Sequence, residues 1–162
     1  MTNAAVYYLF DRDSESNTDS KFILDLLTTL KNSQENENNM MGGLLILSYP
    51  SIEAYEVSNF IDDSFKMDAK LGSDVKEYIY KNAKQISMNK IDEDSVIHGC
   101  MELMQYMREN NIEFDIDNIS DASIKIFGEE EKYFQNNQTY FLLSMMSCIL
   151  LDLGILREES EK

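Results

Sequence analysis

The chain has 162 residues, 43% of them apolar and 10% aromatic, which is enough to bury the core of one domain and excludes general disorder. Acidic residues outnumber basic ones 30 to 14, for a formal charge of −16. Such a surface repels phosphate backbones and anionic membranes, so nucleic acid is expected only through a local site where a divalent ion bridges carboxylates to phosphate.

After a short lead-in, Val6-Tyr7-Tyr8-Leu9-Phe10 is a run of five β-prone apolar residues that stops on Asp11-Arg12-Asp13. Such a run is too short for a buried helix and reads as a strand covered on both faces. A polar loop follows, and Asp19 or Ser20 is placed to cap a helix reaching about Lys31, with Phe22, Ile23, Leu26, Leu27 and Leu30 as its apolar stripe. The stretch from Asn32 to Asn39 reads as a solvated loop, and a second strand is expected over about Leu44 to Leu47. Two strands joined by one helix form a βαβ unit, whose right-handed crossover makes the strands parallel. Pro50 cannot donate a backbone hydrogen bond and is tolerated in a helix's first turn, so Ser48-Tyr49-Pro50-Ser51 reads as the turn into a further helix, in which Ile52, Ala54, Tyr55, Val57 and Phe60 are the inward candidates.

From Phe65 onward the pattern reads as wholly helical. Helices are expected over Ser73 to Ile86, with Val75, Tyr78, Ile79 and Ala83 inward, and over Asp94 to Glu109, with Ile97, Cys100, Met101, Met104 and Met107 as the buried stripe. Ile112 to Asp117 alternates apolar and acidic residues, as a short edge strand or an extended connector would. A last helix is expected from about Glu129 to Leu153, closed by Gly154 in a left-handed cap. The fold class is thus α/β: a small parallel βαβ sheet over residues 1–66, a Rossmann-like half, carrying an α-helical extension over 67–162.

Cys100 and Cys148 lie in helical apolar segments without a CxxC or Cys/His cluster, which fits a reduced, cytoplasmic setting. No basic segment followed by an apolar run marks a signal peptide. The most apolar window, Tyr140 to Leu151, is too short to span a bilayer and reads as a core helix, so no membrane association is expected.

The constellation that carries chemistry is Asp11, Asp13 and Glu53, all placed beyond the carboxyl ends of one parallel sheet, where open α/β sheets bind ligands. Two carboxylates two residues apart suit a hard cation such as Mg²⁺ or Mn²⁺, with water and substrate phosphate completing the shell. The plainer reading is that they open a polar loop in an acidic protein. Glu53 either ligates the ion through water or holds a backbone amide at the start of its helix. Asp19 reads as a cap rather than a ligand. His98, the sole histidine, reads as a packed or partly exposed core residue, and the methionines as core before partner groove.

The strand ending in Asp11-Arg12-Asp13, the helix, the second strand and the Tyr49-Pro50-Ser51-Ile52-Glu53-Ala54 turn together resemble the C-terminal half of Toprim-type domains. The nearest kind is that of the OLD-type and RloB-like proteins of bacterial anti-phage defence. The similarity covers about the first 60 residues with some specificity; Gln138 to Asp152 is loosely similar to the C-terminal helix of uncharacterised proteins of that kind. The resemblance implies a divalent-metal site for phosphodiester chemistry, with Asp11 and Asp13 holding Mg²⁺ and Glu53 as the downstream acid. Toprim domains also carry an essential glutamate after an earlier strand, which would precede Met1. The expectation is therefore either a piece of a longer nuclease or a chain that kept a half-site without catalysis.

A sheet of two parallel strands leaves open edges, so a further strand, from a second copy or a partner subunit, is expected to pair there. Two other functions compete: a noncatalytic acidic module that mimics DNA or occupies a basic partner, and, ranked last, a sugar-nucleotide transferase using the same DxD pair.

Overall fold

The computed structural model describes residues 4–34 and 42–157. It is a mixed α/β fold. β1 (Tyr7–Asp11) leads through α1 (Ser20–Thr29) and the short β2 (Lys31–Asn32) to β3 (Gly43–Tyr49). β1 and β3 are parallel, in register from Tyr7 opposite Leu44 to Asp11 opposite Ser48. The expected crossover pair is present, but the sheet around it is mixed. β2 runs antiparallel to the start of β3 through the Lys31 and Leu44 pair. The part of the expected 32–39 loop beyond Gln34 lies outside the described residues.

β3 is buried along its whole length, as its unbroken apolar sequence requires. Gly43 lets it approach β1 closely, since a Cβ there would stand 2.5 Å from the Tyr8 ring and 3.1 Å from the Val6 carbonyl oxygen. β1 is different: Leu9 is 46% exposed, so this strand is not covered on both faces as expected. It stands at the edge of the sheet. The flanking bonds Leu44 N–H to Val6 O and Arg12 N–H to Ser48 O show that even-numbered residues bond to β3. The backbone groups of Tyr7, Leu9 and Asp11 therefore turn to the open side.

α1 is capped by the Asp19 carboxylate, which accepts from the Phe22 N–H at 3.0 Å, and it packs through Ile23 and Leu27 while Phe22 stays half exposed. α2 (Glu53–Ser58) begins three residues after Pro50, which follows a cis peptide bond and lies in the turn that leads into the helix, as expected. Ala54 and Val57 point inward as expected, whereas Ile52 is exposed.

The chain beyond Phe65 is not wholly helical. β4 (Asp68–Ala69), α3 (Gly72–Lys81), α4 (Glu93–Glu109) and α5 (Ile119–Asn137) are followed by β5 (Tyr140–Phe141), β6 (Leu143–Ser144) and α6 (Met146–Asp152). β6 joins the main sheet on β3 with Ser48 opposite Ser144, and β5 pairs with β4. The expected helix over 129–153 is thus interrupted. α5 stops where Gln138 takes a left-handed φ of 59°, and the β-prone residues Thr139 to Leu143 then cross the end of the sheet. Gly154 adopts the expected left-handed conformation after α6, with φ of 70°. Of the expected edge strand or connector over Ile112 to Asp117, residues 112–115 have no regular structure, with Asp115 extended, and Ile116–Asn118 form a 3-10 turn.

α4 also faces differently from its apolar spacing. Its buried residues are Ser95, Gly99, Leu103, Tyr106 and Met107, while Met101 is 64% exposed. The cause is a close approach: a Cβ on Gly99 would stand 2.1 Å from the buried Asn59 Oδ1, so the helix seats on its small residues. One core joins β3, α1, α4, α5 and α6 through residues such as Ile46, Leu27, Leu103, Ile126 and Cys148. A smaller cluster holds Ala54, Val57, Val75, Ile86 and Leu142.

Candidate functional site

Side chains alternate along β1, and this alternation builds the site from the motif upward. Arg12 turns inward and is 2% exposed. Its Nε meets Glu131 Oε1 of α5 at 2.7 Å, its terminal nitrogens donate to the Asn17 carbonyl and the Ser20 hydroxyl, and its guanidinium lies 5.8 and 5.6 Å from the Phe127 and Tyr140 ring centres. Ser20 in turn donates to Glu131 Oε2 at 2.6 Å. The arginine between the two aspartates is therefore an anchor that fixes the β1 end and its loop to α1 and α5.

Asp11, on the opposite side of the strand, accepts the Ile52 N–H at 2.8 Å through Oδ1 and so ties the β1 end to the turn that opens α2. Burial raises its pKa, and the Glu53 and Asp13 charges add to the rise against the Ile52 amide and Lys76. Asp13 accepts the Glu15 N–H at 2.8 Å through Oδ1, closing a loop turn. Glu53 receives the Ser51 hydroxyl at 2.6 Å and pairs with Lys76 of α3 at 3.3 Å. Burial alone would raise its pKa, but Ser51, its own amide and Lys76 outweigh that and lower it. The contacts of Glu53 are thus a hydroxyl, an ammonium and its own amide, and no neighbouring backbone amide is among them.

Asp11 thus feels the charges of Glu53 and Asp13 at one end of the sheet. They do not converge into a cage: among the described residues, no group of three His, Cys, Asp or Glu side chains is gathered to hold a metal ion. One oxygen each of Asp11 and Asp13 lies outside these hydrogen bonds, and Mg²⁺ commonly uses only one or two carboxylates with water and phosphate. The described side chains therefore do not form a three-carboxylate site.

His98 is not near this end. Its Nδ1 lies 2.7 Å from the Ser58 carbonyl and its Nε2 lies 2.8 Å from Asp62, which fastens α4 to the last residue of α2 and to the segment that follows it. Sequence reading missed a buried polar layer behind Arg12. Glu130 is fully buried, with Tyr106 Oη donating to Oε1 at 2.8 Å and the Phe141 N–H to Oε2 at 3.0 Å. Burial pushes its pKa up to about 8. The Tyr49 hydroxyl beside it is buried without a hydrogen-bond partner among the described residues. The run Glu129-Glu130-Glu131 held no signal that its middle member faces the core.

The fold and site define a mixed α/β protein with a carboxylate pair at the end of a parallel strand pair. No family model, curated protein or solved structure matches the chain. Among the described residues no helix is long and apolar enough to cross a membrane.

Proposed function

We propose that the chain is a divalent-metal-binding α/β unit of the Toprim kind, a half-site for phosphodiester chemistry in which Asp11 and Asp13 hold hydrated Mg²⁺ or Mn²⁺. The observation that supports this reading is the parallel β1 and β3 register, which ends with Asp11 opposite Ser48 and leads on to Glu53 at the start of α2. Burial is the main cause that raises the Asp11 pKa, with smaller contributions from the Glu53 and Asp13 charges, and a bound cation would favour the ionised form. When bound, the ion would offset the charge that develops on phosphate. Arg12 holds the backbone that carries both aspartates, and Lys76 sets the position of Glu53.

The open edge of β1, with Tyr7, Leu9 and Asp11 unpaired on that side among the described residues, is where a strand of a second copy pairs in this reading. Sedimentation at micromolar concentration is expected to show a dimer, and a monodisperse monomer refutes the pairing. The metal proposal is tested by calorimetric titration of Mn²⁺ into the wild type and into Asp11→Asn/Asp13→Asn, whose amides keep the acceptors for Ile52 and Glu15. Saturable binding lost in the variant supports it; equal heats in both refute it.

A second reading, a noncatalytic acidic module for a basic partner or a DNA mimic, is favoured by one observation. Glu53 is already engaged by Lys76 and Ser51, and Asp11 and Asp13 each serve a backbone N–H. That reading predicts partner binding that weakens steeply with salt and is indifferent to the Asp11 and Asp13 variants.

A further inference from the structure

The outer edge of β1 is an open hydrogen-bonding row. Residues Tyr7–Asp11 pair with β3 on one side only, and the backbone groups of Tyr7, Leu9 and Asp11 turn to the other side, where no strand joins them among the described residues. Edge strands are commonly blunted by lysine, proline or a bulge. β1 has none of these: its register with β3 is unbroken, and its one charge, Asp11, stands at its end. The three side chains of the open row share one face of the sheet. The Tyr7 hydroxyl is fixed there by donation to Asp152 of α6 at 2.5 Å and Asp11 by the Ile52 N–H, while Leu9 between them is 46% exposed.

This row is complementary to itself. Two copies that meet here about a two-fold axis bond only when antiparallel, because in a symmetric parallel pair each N–H meets the same N–H of the other copy. Of the antiparallel registers, one alone maps the three outward residues onto themselves: Leu9 opposite Leu9, and Tyr7 of each copy opposite Asp11 of the other. Every outward donor then meets an outward acceptor. The two carboxylates do not face each other, since each meets a tyrosine, and the two exposed leucines cover one another at the axis. Sliding the pair by two residues in either direction sets one outward residue against chain beyond the ends of β1.

We propose that the chain forms a two-fold dimer by antiparallel pairing of β1 with β1, centred on Leu9, in which Tyr7 of the second copy stands beside Asp11. This rests on the edge pairing set out under the proposed function and gives it a direction, a register and a consequence for the site. Facing residues of such a pair have Cβ atoms about 5 Å apart, so the Tyr7 ring of the second copy covers one flank of the Asp11 carboxylate. The end of β1 is then built from two chains. Both copies carry a formal charge of −16, so their diffuse repulsion opposes the dimer and salt favours it, the reverse of binding to a basic partner.

The test is made on the full chain in EDTA, so that no outcome depends on a bound metal. Within one chain the Tyr7 and Asp11 amides lie about 13 Å apart, too far for a nuclear Overhauser contact, whereas across the axis they lie within about 4 Å. An amide contact between Tyr7 and Asp11 is therefore expected in perdeuterated, ¹⁵N-labelled protein, together with a dimer in sedimentation that holds or strengthens as salt rises. Leu9→Glu and Leu9→Lys, at an exposed position and checked for folding by circular dichroism, are each expected to weaken the dimer about ten-fold or more. An equimolar mixture of the two is expected to restore it, because this register sets the opposite charges face to face. A monomer in sedimentation overturns the edge pairing together with this inference. A dimer that lacks the Tyr7 and Asp11 contact, or folded variants whose mixture stays monomeric, overturns the register alone, and neither result bears on Mn²⁺ binding by Asp11 and Asp13.

Discussion

Glu130→Gln is the substitution whose effect depends most sharply on pH. In the folded chain the Glu130 carboxyl is pushed up to about 8 by burial, from an ordinary value of 4.5. The folded state therefore holds its proton more tightly than the unfolded state does, and stability falls as pH rises from about 4.5 to about 8. Taken over the whole window, the difference corresponds to at most about 5 kcal/mol. A glutamine keeps the hydrogen bonds: its carbonyl oxygen accepts the Phe141 N–H, and its amide donates to the Tyr106 hydroxyl oxygen, which can turn to accept. Urea unfolding of both proteins, followed by circular dichroism from pH 5 to 9, separates this group from all others, because every other titration is common to the two. The stabilities are expected to lie within about 1 kcal/mol of each other near pH 5. By pH 9 the variant is expected to be the more stable by about 2 kcal/mol or more. Parallel stability curves, or a variant that is the weaker at pH 9, refute the assignment of Glu130 as a buried neutral acid.

Other expectations follow from the same contacts. Arg12→Met leaves Glu131 partly buried without its cation and is expected to cost about 3–5 kcal/mol in urea unfolding, most of it recovered in Arg12→Met/Glu131→Met. Equal destabilisation by the double variant contradicts the pairing. Both partners of the His98 ring are acceptors, the Ser58 carbonyl and the Asp62 carboxylate, so the doubly protonated ring satisfies them best. Burial works against the charge, but Asp62, Ser58 and Glu102 raise its pKa above 6.5. The stabilisation is then fully present below pH 6.5 and fades as pH rises through the higher folded value. The melting temperature of His98→Gln is expected to fall furthest below wild type at pH 5.5 and to approach it by pH 8.5; a constant gap refutes the latch.

The first 60 residues were legible because local signals and tertiary outcome agree there. Five apolar β-prone residues, an aspartate cap and a second apolar run specify a strand, a helix and a buried parallel partner, and the structure has all three. The later chain was misread where local pattern and packing part company. Residues 140–153 carry an apolar density that suits a helix, yet Tyr140 to Ser144 is used as two short strands, because β4 offers a partner to Tyr140 and Phe141 and β3 a flank at Ser48 and Tyr49 to Leu143 and Ser144. In α4 the contact face is chosen by Gly99 and Ser95, which an apolar stripe does not register. The same holds for the site. The aspartate pair was visible as a motif, while the inward arginine between them found its meaning only through Glu131, 119 residues away. Glu130 is masked by acidic neighbours, and only the strand that follows α5 reveals why it is buried.

The central claim is that the β1 end binds a divalent ion through Asp11 and Asp13, and paramagnetic broadening locates such an ion directly. Substoichiometric Mn²⁺ added to ¹⁵N-labelled protein is expected to broaden the amides of Asp11 to Glu15 and Ile52 to Ala54 first, and to spare them in Asp11→Asn/Asp13→Asn. Broadening spread evenly over the acidic surface, or unchanged in the double variant, would contradict the metal site.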